Sequence, residues 1–323
     1  MNQERGAIAL EYLRAHKSLG SLTIAKLLCR EYPDLFTHLE NTRRVIRYYR
    51  GACGDAKRKD LKPENYVPFM DIPEGDGKDL EPLELPPDAF PLAIASDIHF
   101  PYHSREALEL FLETAHAAGA KTILLNGDTF DCYLLSSFDK DPKARSFADE
   151  LELGCEVING MAAKFPSVML KLGNHEHRLE RYVMAKAPEL FGLDDLTMAA
   201  QINKRLDKPI AIIPQNQIIK ALGLHIIHGH EYRFAIASPV NPARGLFLKA
   251  KKSALCGHHH RTSEHSETAI DGSAMTCWST GCLCDLHPEY NRLNSWNHGF
   301  AIVYNDDGYY TVANKKVIKW RVL

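Results

Sequence analysis

Five short apolar runs, each closing on a side chain able to hold a metal ion, constrain this chain more than anything else in it. PLAIAS leads into Asp97, TILLNG into Asp128, SVMLKLG into Asn174, LHII into His228, and SALC into Gly257 and His258. Helical periodicity over residues 104–119 and 143–164 separates the first three runs. Strand–helix–strand alternation of this kind predicts an α/β sheet core. Open α/β sheets present ligand-binding groups beyond the carboxyl ends of their strands, where the following loops converge. The groups so delivered are Asp97 and His99, Asp128, Asn174 and His175, His228, and His258 and His260. Residues two apart in a strand-to-loop turn can face one pocket, which suits both Asp97-Ile98-His99 and His258-His259-His260. Glycines at 127, 173, 229 and 257 let the backbone turn sharply beside a ligand.

Carboxylate, imidazole and amide oxygen without thiolate form a donor set for borderline-hard divalent ions such as Mn²⁺, Fe²⁺ or Zn²⁺. If Asp128 is counted twice, as a bridge, the groups divide into two sets of four. Two ions bridged in that way would lie ~3.5–4 Å apart, a spacing used for phosphoester chemistry.

Asp97-Ile98-His99, Gly127-Asp128-Thr129-Phe130-Asp131, Gly173-Asn174-His175-Glu176, His228 and Gly257-His258-His259-His260 together resemble the five signature blocks of the calcineurin-like metallophosphoesterase superfamily, in the family's order. The resemblance covers residues 92–260 and, more loosely, a β-rich tail from residue 266 with a hairpin turn expected at Asn305–Gly308. It implies a four-layer αββα sandwich of two mixed sheets. It further implies that Asp97, His99, Asp128 and His260 hold one ion and that Asp128, Asn174, His228 and His258 hold the other. His175 would be the general acid, oriented by Asp131, and a hydroxide bridging the ions would attack the phosphoester. Mn²⁺ is the expected metal, with Fe²⁺, Zn²⁺ or Ni²⁺ as alternatives. A phosphodiester is anionic and repels hydroxide, so cations at its oxygens and a proton for the departing alkoxide address both barriers.

Departures from the pattern narrow the chemistry. The superfamily's protein serine/threonine phosphatases place Arg-Gly directly after the second block, whereas Cys132-Tyr133 follow Asp131 here. Arg178 and Arg181 are available for phosphate contacts instead, or are solvated helix residues paired with Glu176 and Glu180. His230, two residues after His228, is a further candidate for touching substrate. The CxC at Cys282 and Cys284, with Cys277 nearby, reads as buried free thiols or as a small zinc or redox site.

The remainder of the chain has a different character. Residues 1–62 carry 13 Lys+Arg against 7 Asp+Glu, residues 63–91 carry 1 against 8, and residues 92–323 are near neutral. The first stretch predicts three helices, over residues 4–16, from about Ile24 to before Pro33, and from about Glu40 to Arg50, with Ser21 or Thr23 capping the second. This small all-α head resembles a helix-turn-helix unit. Arg43, Arg47 and Arg50 share one face of its third helix, and Lys57, Arg58 and Lys59 follow, all available to nucleic-acid phosphates. Residues 63–91 hold seven of the 17 prolines and read as a linker, leaving 92–323 as the catalytic body. The expected function is phosphoester hydrolysis, with a nucleic-acid phosphodiester as substrate. The alternatives are a phosphomonoesterase acting on protein or metabolite, and a nucleic-acid-binding protein whose body is catalytically idle. A polar N-terminus and the lack of any apolar run long enough to span a bilayer give the expectation of a soluble cytoplasmic protein with no membrane partner; oligomeric state is left open.

Overall fold

The apolar runs become short strands whose faces are both covered, which is why they show no polar alternation. The structure is a computed structural model describing residues 3–16, 19–50, 80–141, 143–232, 240–288 and 291–323. It divides into two compact units, Met1–Gly77 and Lys78–Leu323.

In the first unit, helices α1 (Gln3–Ala15), α2 (Ser21–Glu31) and α3 (Leu39–Tyr49) pack around Ala9, Leu13, Ile24, Leu28, Phe36, Ile46 and Tyr49. The expected cap of α2 is corrected. Gly20 occupies the cap position in extended conformation with no side-chain bond. Ser21 Oγ instead accepts from Arg50 Nη1 at 3.0 Å, and Arg50 Nη2 also donates to the Leu19 carbonyl. Arg50 therefore fastens the end of α3 to the start of α2. Arg43 pairs with Glu40 at 3.3 Å, and Arg44 and Arg47 remain exposed. Lys57, Arg58 and Lys59 lie outside the described residues.

The second unit holds two mixed sheets. The seven-stranded sheet runs β13 (Arg321–Val322), β12 (Tyr309–Ile318), β11 (Gly299–Asp306), β2 (Leu92–Ala95), β3 (Thr122–Asn126), β4 (Ser167–Lys171), β5 (Ala211–Ile213). Strands β2 to β5 are parallel, and β11 returns antiparallel to β2. The six-stranded sheet runs β1 (Leu83–Leu85), β6 (Ile219–Ala221), β7 (Leu224–Ile226), β8 (Ala254–Cys256), β10 (Ala274–Ser279), β9 (Ser263–Thr268). Leu92 and Ile94 of β2 face the second sheet across a core with Leu124, Ile226, Leu255 and Val303. Ala93 and Ala95, pointing the other way, meet a helical layer of α4 (Arg105–Ala117) and α5 (Phe147–Lys164) through Phe111, Leu151 and Ile158. On the far side, α8 (Pro242–Ala250) covers β8, β9 and β10 through Ala243, Leu246 and Phe247. The layers are thus helix, sheet, sheet, helix. The two remaining helices, α6 (Arg178–Lys186) and α7 (Met198–Asn203), follow β4. Asp307 and Gly308 close the expected hairpin between β11 and β12.

One boundary is revised. Part of the stretch read as linker enters the body: β1 pairs in parallel with β6, Leu85 is buried, and Leu83 N–H donates to the Ile218 carbonyl at 2.8 Å. A three-residue edge strand between prolines is too short to show periodicity. No helix among the described residues is long and apolar enough to cross a membrane.

Candidate metal centre

Loops at the carboxyl ends of β2, β3, β7 and β8 bring six of the seven prospective ligands together, and Asn174, after β4, sits between Gly173 and His175, which both contact Asp128. Asp97, His99 and Asp128 offer atoms within 4.8 Å of one another, as do Asp128, His228 and His258. Asp128 is common to both groups. Asp97, His99, Asp128, His258 and His260 all have left-handed backbone, with φ between +51° and +67°. Non-glycine residues rarely adopt this region, and such strain persists where the surrounding structure imposes it. The alternation in Asp97-Ile98-His99 and His258-His259-His260 is what turns both outer side chains toward the centre while Ile98 enters the core. Gly173 permits the closest approach: a Cβ there would lie 2.3 Å from Asp128 Oδ1 and 2.5 Å from its backbone nitrogen.

The donor atoms are held from behind, so their free lone pairs face inward. His99 Nδ1 donates to Asp131 Oδ1 at 2.8 Å, and His228 Nδ1 donates to the Asn126 carbonyl at 2.8 Å. Asp97 Oδ2 accepts from His258 N–H at 2.8 Å, and Asp128 Oδ1 from His175 N–H at 2.9 Å. What remains is an unresolved crowd. His99 Nε2 and His260 Nε2 face each other at 3.4 Å. His260 Nε2 stands 3.3 Å from Asp97 Oδ1, and His228 Nε2 stands 3.1 Å from Asp128 Oδ2. Among the described residues, Asp97 Oδ1, Asn174 Oδ1 and His228 Nε2 are nonetheless buried without hydrogen-bond geometry to any partner. Buried polar atoms are expected to be satisfied. Clustered carboxylate, amide and imidazole atoms left without hydrogen-bond partners are what cation coordination requires, so the residues present fit two divalent ions.

Electrostatics agree with that fit. Burial opposes ionisation of Asp128, yet the His228 and His175 imidazoles hold its carboxyl well below the usual range. Burial and the neighbouring His228 push His258 down to about 3, which keeps it neutral and able to ligate. His228, despite burial, is raised to about 10 by Asp128 and Asp97; a cation at the centre would take the place of that proton.

Beside the centre, His175 Nδ1 donates to the Asp131 carbonyl at 2.8 Å and lies 3.3 Å from Asp131 Oδ1. Asp131 thus contacts His175 as expected, while its carboxylate also serves His99. The reading of Arg178 as a solvated partner of Glu176 is corrected. Arg178 is mostly buried, donating from Nη1 to the Asp131 carbonyl at 2.7 Å and from Nη2 to His175 Nε2 at 3.0 Å. His230 is half-buried, 5.4 Å ring to ring from His228, with Nδ1 3.5 Å from Glu231 Oε2. Arg43, Arg47 and Arg50 belong to the first unit.

Several supporting residues escaped sequence reasoning. Glu176 is fully buried; Oε2 accepts from the N–H groups of Asp128 (3.1 Å) and Gly173 (2.7 Å), and Oε1 accepts from Phe130 N–H (2.9 Å). Glu150, on α5, accepts from Cys132 N–H at 2.6 Å. The fully buried Lys171 pairs with the mostly buried Glu231. A lysine inside the apolar run SVMLKLG was the one available signal for that pair. Cys284 Sγ lies 3.8 Å from His260 Nδ1, so the CxC pair backs a prospective ligand, and every cysteine among the described residues is free.

The calcineurin-like phosphoesterase family matches residues 90–293. The chain belongs to that family. Its members are metal-dependent phosphoester hydrolases and their relatives, built around two divalent ions. Similar solved structures include Vps29 complexed with Zn²⁺ from Entamoeba histolytica (13% identity, TM-score 0.39, covering 72% of this chain and 95% of that one). The phosphoesterase YfcE from E. coli is 19% identical, with TM-score 0.32 and coverage of 67% and 88%. A dimetal phosphatase from Danio rerio is 10% identical, with TM-score 0.36 and coverage of 70% and 96%. No curated protein matches the chain.

Proposed function

We propose that this protein is a dinuclear metal-dependent phosphodiesterase acting on nucleic acid. The observation that carries the hydrolase reading is the convergence of six carboxylate and imidazole donors, together with buried atoms that have no hydrogen bond of their own, Asn174 Oδ1 and Asp97 Oδ1 among them. In this reading Asp97, His99, Asp128 and His260 hold one ion, and Asp128, Asn174, His228 and His258 hold the other. Bound ions would neutralise phosphate oxygens and lower the pKa of water toward neutrality.

The chain's own groups supply the remainder. His175 delivers a proton from Nε2 to the departing oxygen. In the resting geometry that atom accepts from Arg178, so the imidazole is the Nδ1–H tautomer. A phosphate oxygen is a stronger acceptor than an imidazole nitrogen. Arg178 therefore shifts onto substrate, and the freed Nε2 takes up from solvent the proton that it then transfers. Asp128 and Asp131 favour the charged imidazole; against the effect of burial, they raise the His175 pKa.

Support for a nucleic-acid substrate comes from the head, whose exposed Arg44 and Arg47 and net positive charge suit phosphate contacts. Protein stripped of metal, reloaded with Mn²⁺ and offered single-stranded DNA, duplex DNA, RNA, a phosphopeptide, an aryl monophosphate and a cyclic nucleotide tests the reading. Cleavage confined to nucleic acid is expected. Turnover of only the monoesters would replace it with a phosphomonoesterase. No turnover with Mn²⁺, Fe²⁺, Zn²⁺ or Ni²⁺ would leave a binding protein.

A further inference from the structure

We infer that Lys171 and Glu231 are a buried positioning pair that sets the affinity of one ion site, that of Asp128, Asn174, His228 and His258, independently of the other. The inference rests on the two-ion reading. Lys171 is the last residue of β4, and its side chain is 0% exposed. A lysine so placed is costly unless its charge and donors are matched. Its ammonium donates to the carbonyls of Pro214 (3.3 Å), Gln215 (2.5 Å) and Gln217 (2.8 Å), in the loop between β5 and β6. Glu231 Oε1 stands 3.3 Å from the same ammonium.

Glu231 in turn grips the turn that carries a ligand. Its Oε1 accepts from His228 N–H at 3.1 Å and its Oε2 from Gly229 N–H at 2.6 Å. The His228 carbonyl accepts from Gly257 N–H at 2.7 Å, one residue before His258. Gly229, at φ +130°, lies directly under His258; a Cβ there would be 3.0 Å from the His258 Cβ. Lys171 itself is three residues before Asn174 on the same strand-to-loop turn. Three of the four ligands of one site are therefore referenced to this pair. Two ligands of the other site are referenced elsewhere: His99 to Asp131, and His260 to Cys284 and the Trp296 ring, whose centroid is 4.2 Å from its own.

Metal-depleted full-length protein, titrated with Zn²⁺ against a chromogenic chelator, resolves the two dissociation constants. Lys171→Met and Glu231→Gln should each weaken one ion by roughly 10–100-fold and leave the other unchanged, the size of effect seen when a ligand loses its supporting partner. The double variant should bind that ion more tightly than Lys171→Met alone, because no unpaired carboxylate stays buried. Should Lys171→Met fail to fold, Glu231→Gln carries the test. A lowered melting temperature with both affinities unchanged, or both ions weakened alike, would make the pair merely structural and overturn the inference while the two-ion reading stands. A wild-type protein that binds fewer than two ions would defeat both.

Discussion

Glu176→Gln isolates how much the centre depends on one buried carboxylate. The substitution is isosteric, so it opens no cavity. Glu176 accepts three backbone N–H groups, two on Oε2 and one on Oε1. Glutamine has a single acceptor oxygen. Its better orientation keeps the oxygen on Asp128 and Gly173 N–H and turns the amide NH₂ toward Phe130 N–H, which is then orphaned. One buried unsatisfied donor costs about 1–3 kcal/mol, and loss of charge on the two retained bonds adds about 1. The expected destabilisation is therefore about 2–4 kcal/mol. For a body of this size each kcal/mol moves the melting temperature by roughly 2–4 °C, so a drop of roughly 5–15 °C is expected. Thermal and urea unfolding of the metal-loaded protein, followed by circular dichroism, measures it. The reasoning has a definite competitor. Burial and the Asp128 carboxylate raise the Glu176 pKa, so the charge is also a burden. A Gln variant as stable as wild type, or more stable, would show that this burden outweighs the hydrogen bonds and would refute the argument.

Two further outcomes follow from the same geometry. His175→Ala should lower kcat by roughly 10²–10⁴-fold while metal analysis still finds two ions; loss of an ion would show that His175 is a ligand. Burial, with Asp131 and Glu176 nearby, pushes Glu150 up to about 8, so its carboxyl is protonated in the fold while the unfolded chain ionises near the ordinary value. Wild-type stability should accordingly fall as pH rises from about 5 to 8 and level off above, whereas Glu150→Gln, which keeps an acceptor for Cys132 N–H, should lose that slope and be more stable at pH 8.5 by an amount on the order of a few kcal/mol. Parallel stability–pH curves for the two proteins would contradict the assignment.

The family resemblance implied the four layers; the residue pattern alone marked the core strands and a set of prospective ligands. Both are local properties: a run of apolar residues covered on two faces is visible in a few positions, and a strand end places its next side chain at the sheet's edge whatever else the chain does. It also determined the hairpin at Asn305–Gly308 and the three helices of the head. Tertiary structure decided what holds those ligands still. Glu176 looked like a helix-surface partner for an arginine, and Arg50 like a phosphate contact. Each is committed to groups outside its own periodic pattern: Glu176 to backbone 46 and 48 residues away, and Arg50 to the start of α2. The strand Leu83–Leu85 likewise exists only because β6 offers it an edge. The worth of a buried charge depends on which remote donors and acceptors meet it, and spacing along the chain carries no record of that meeting.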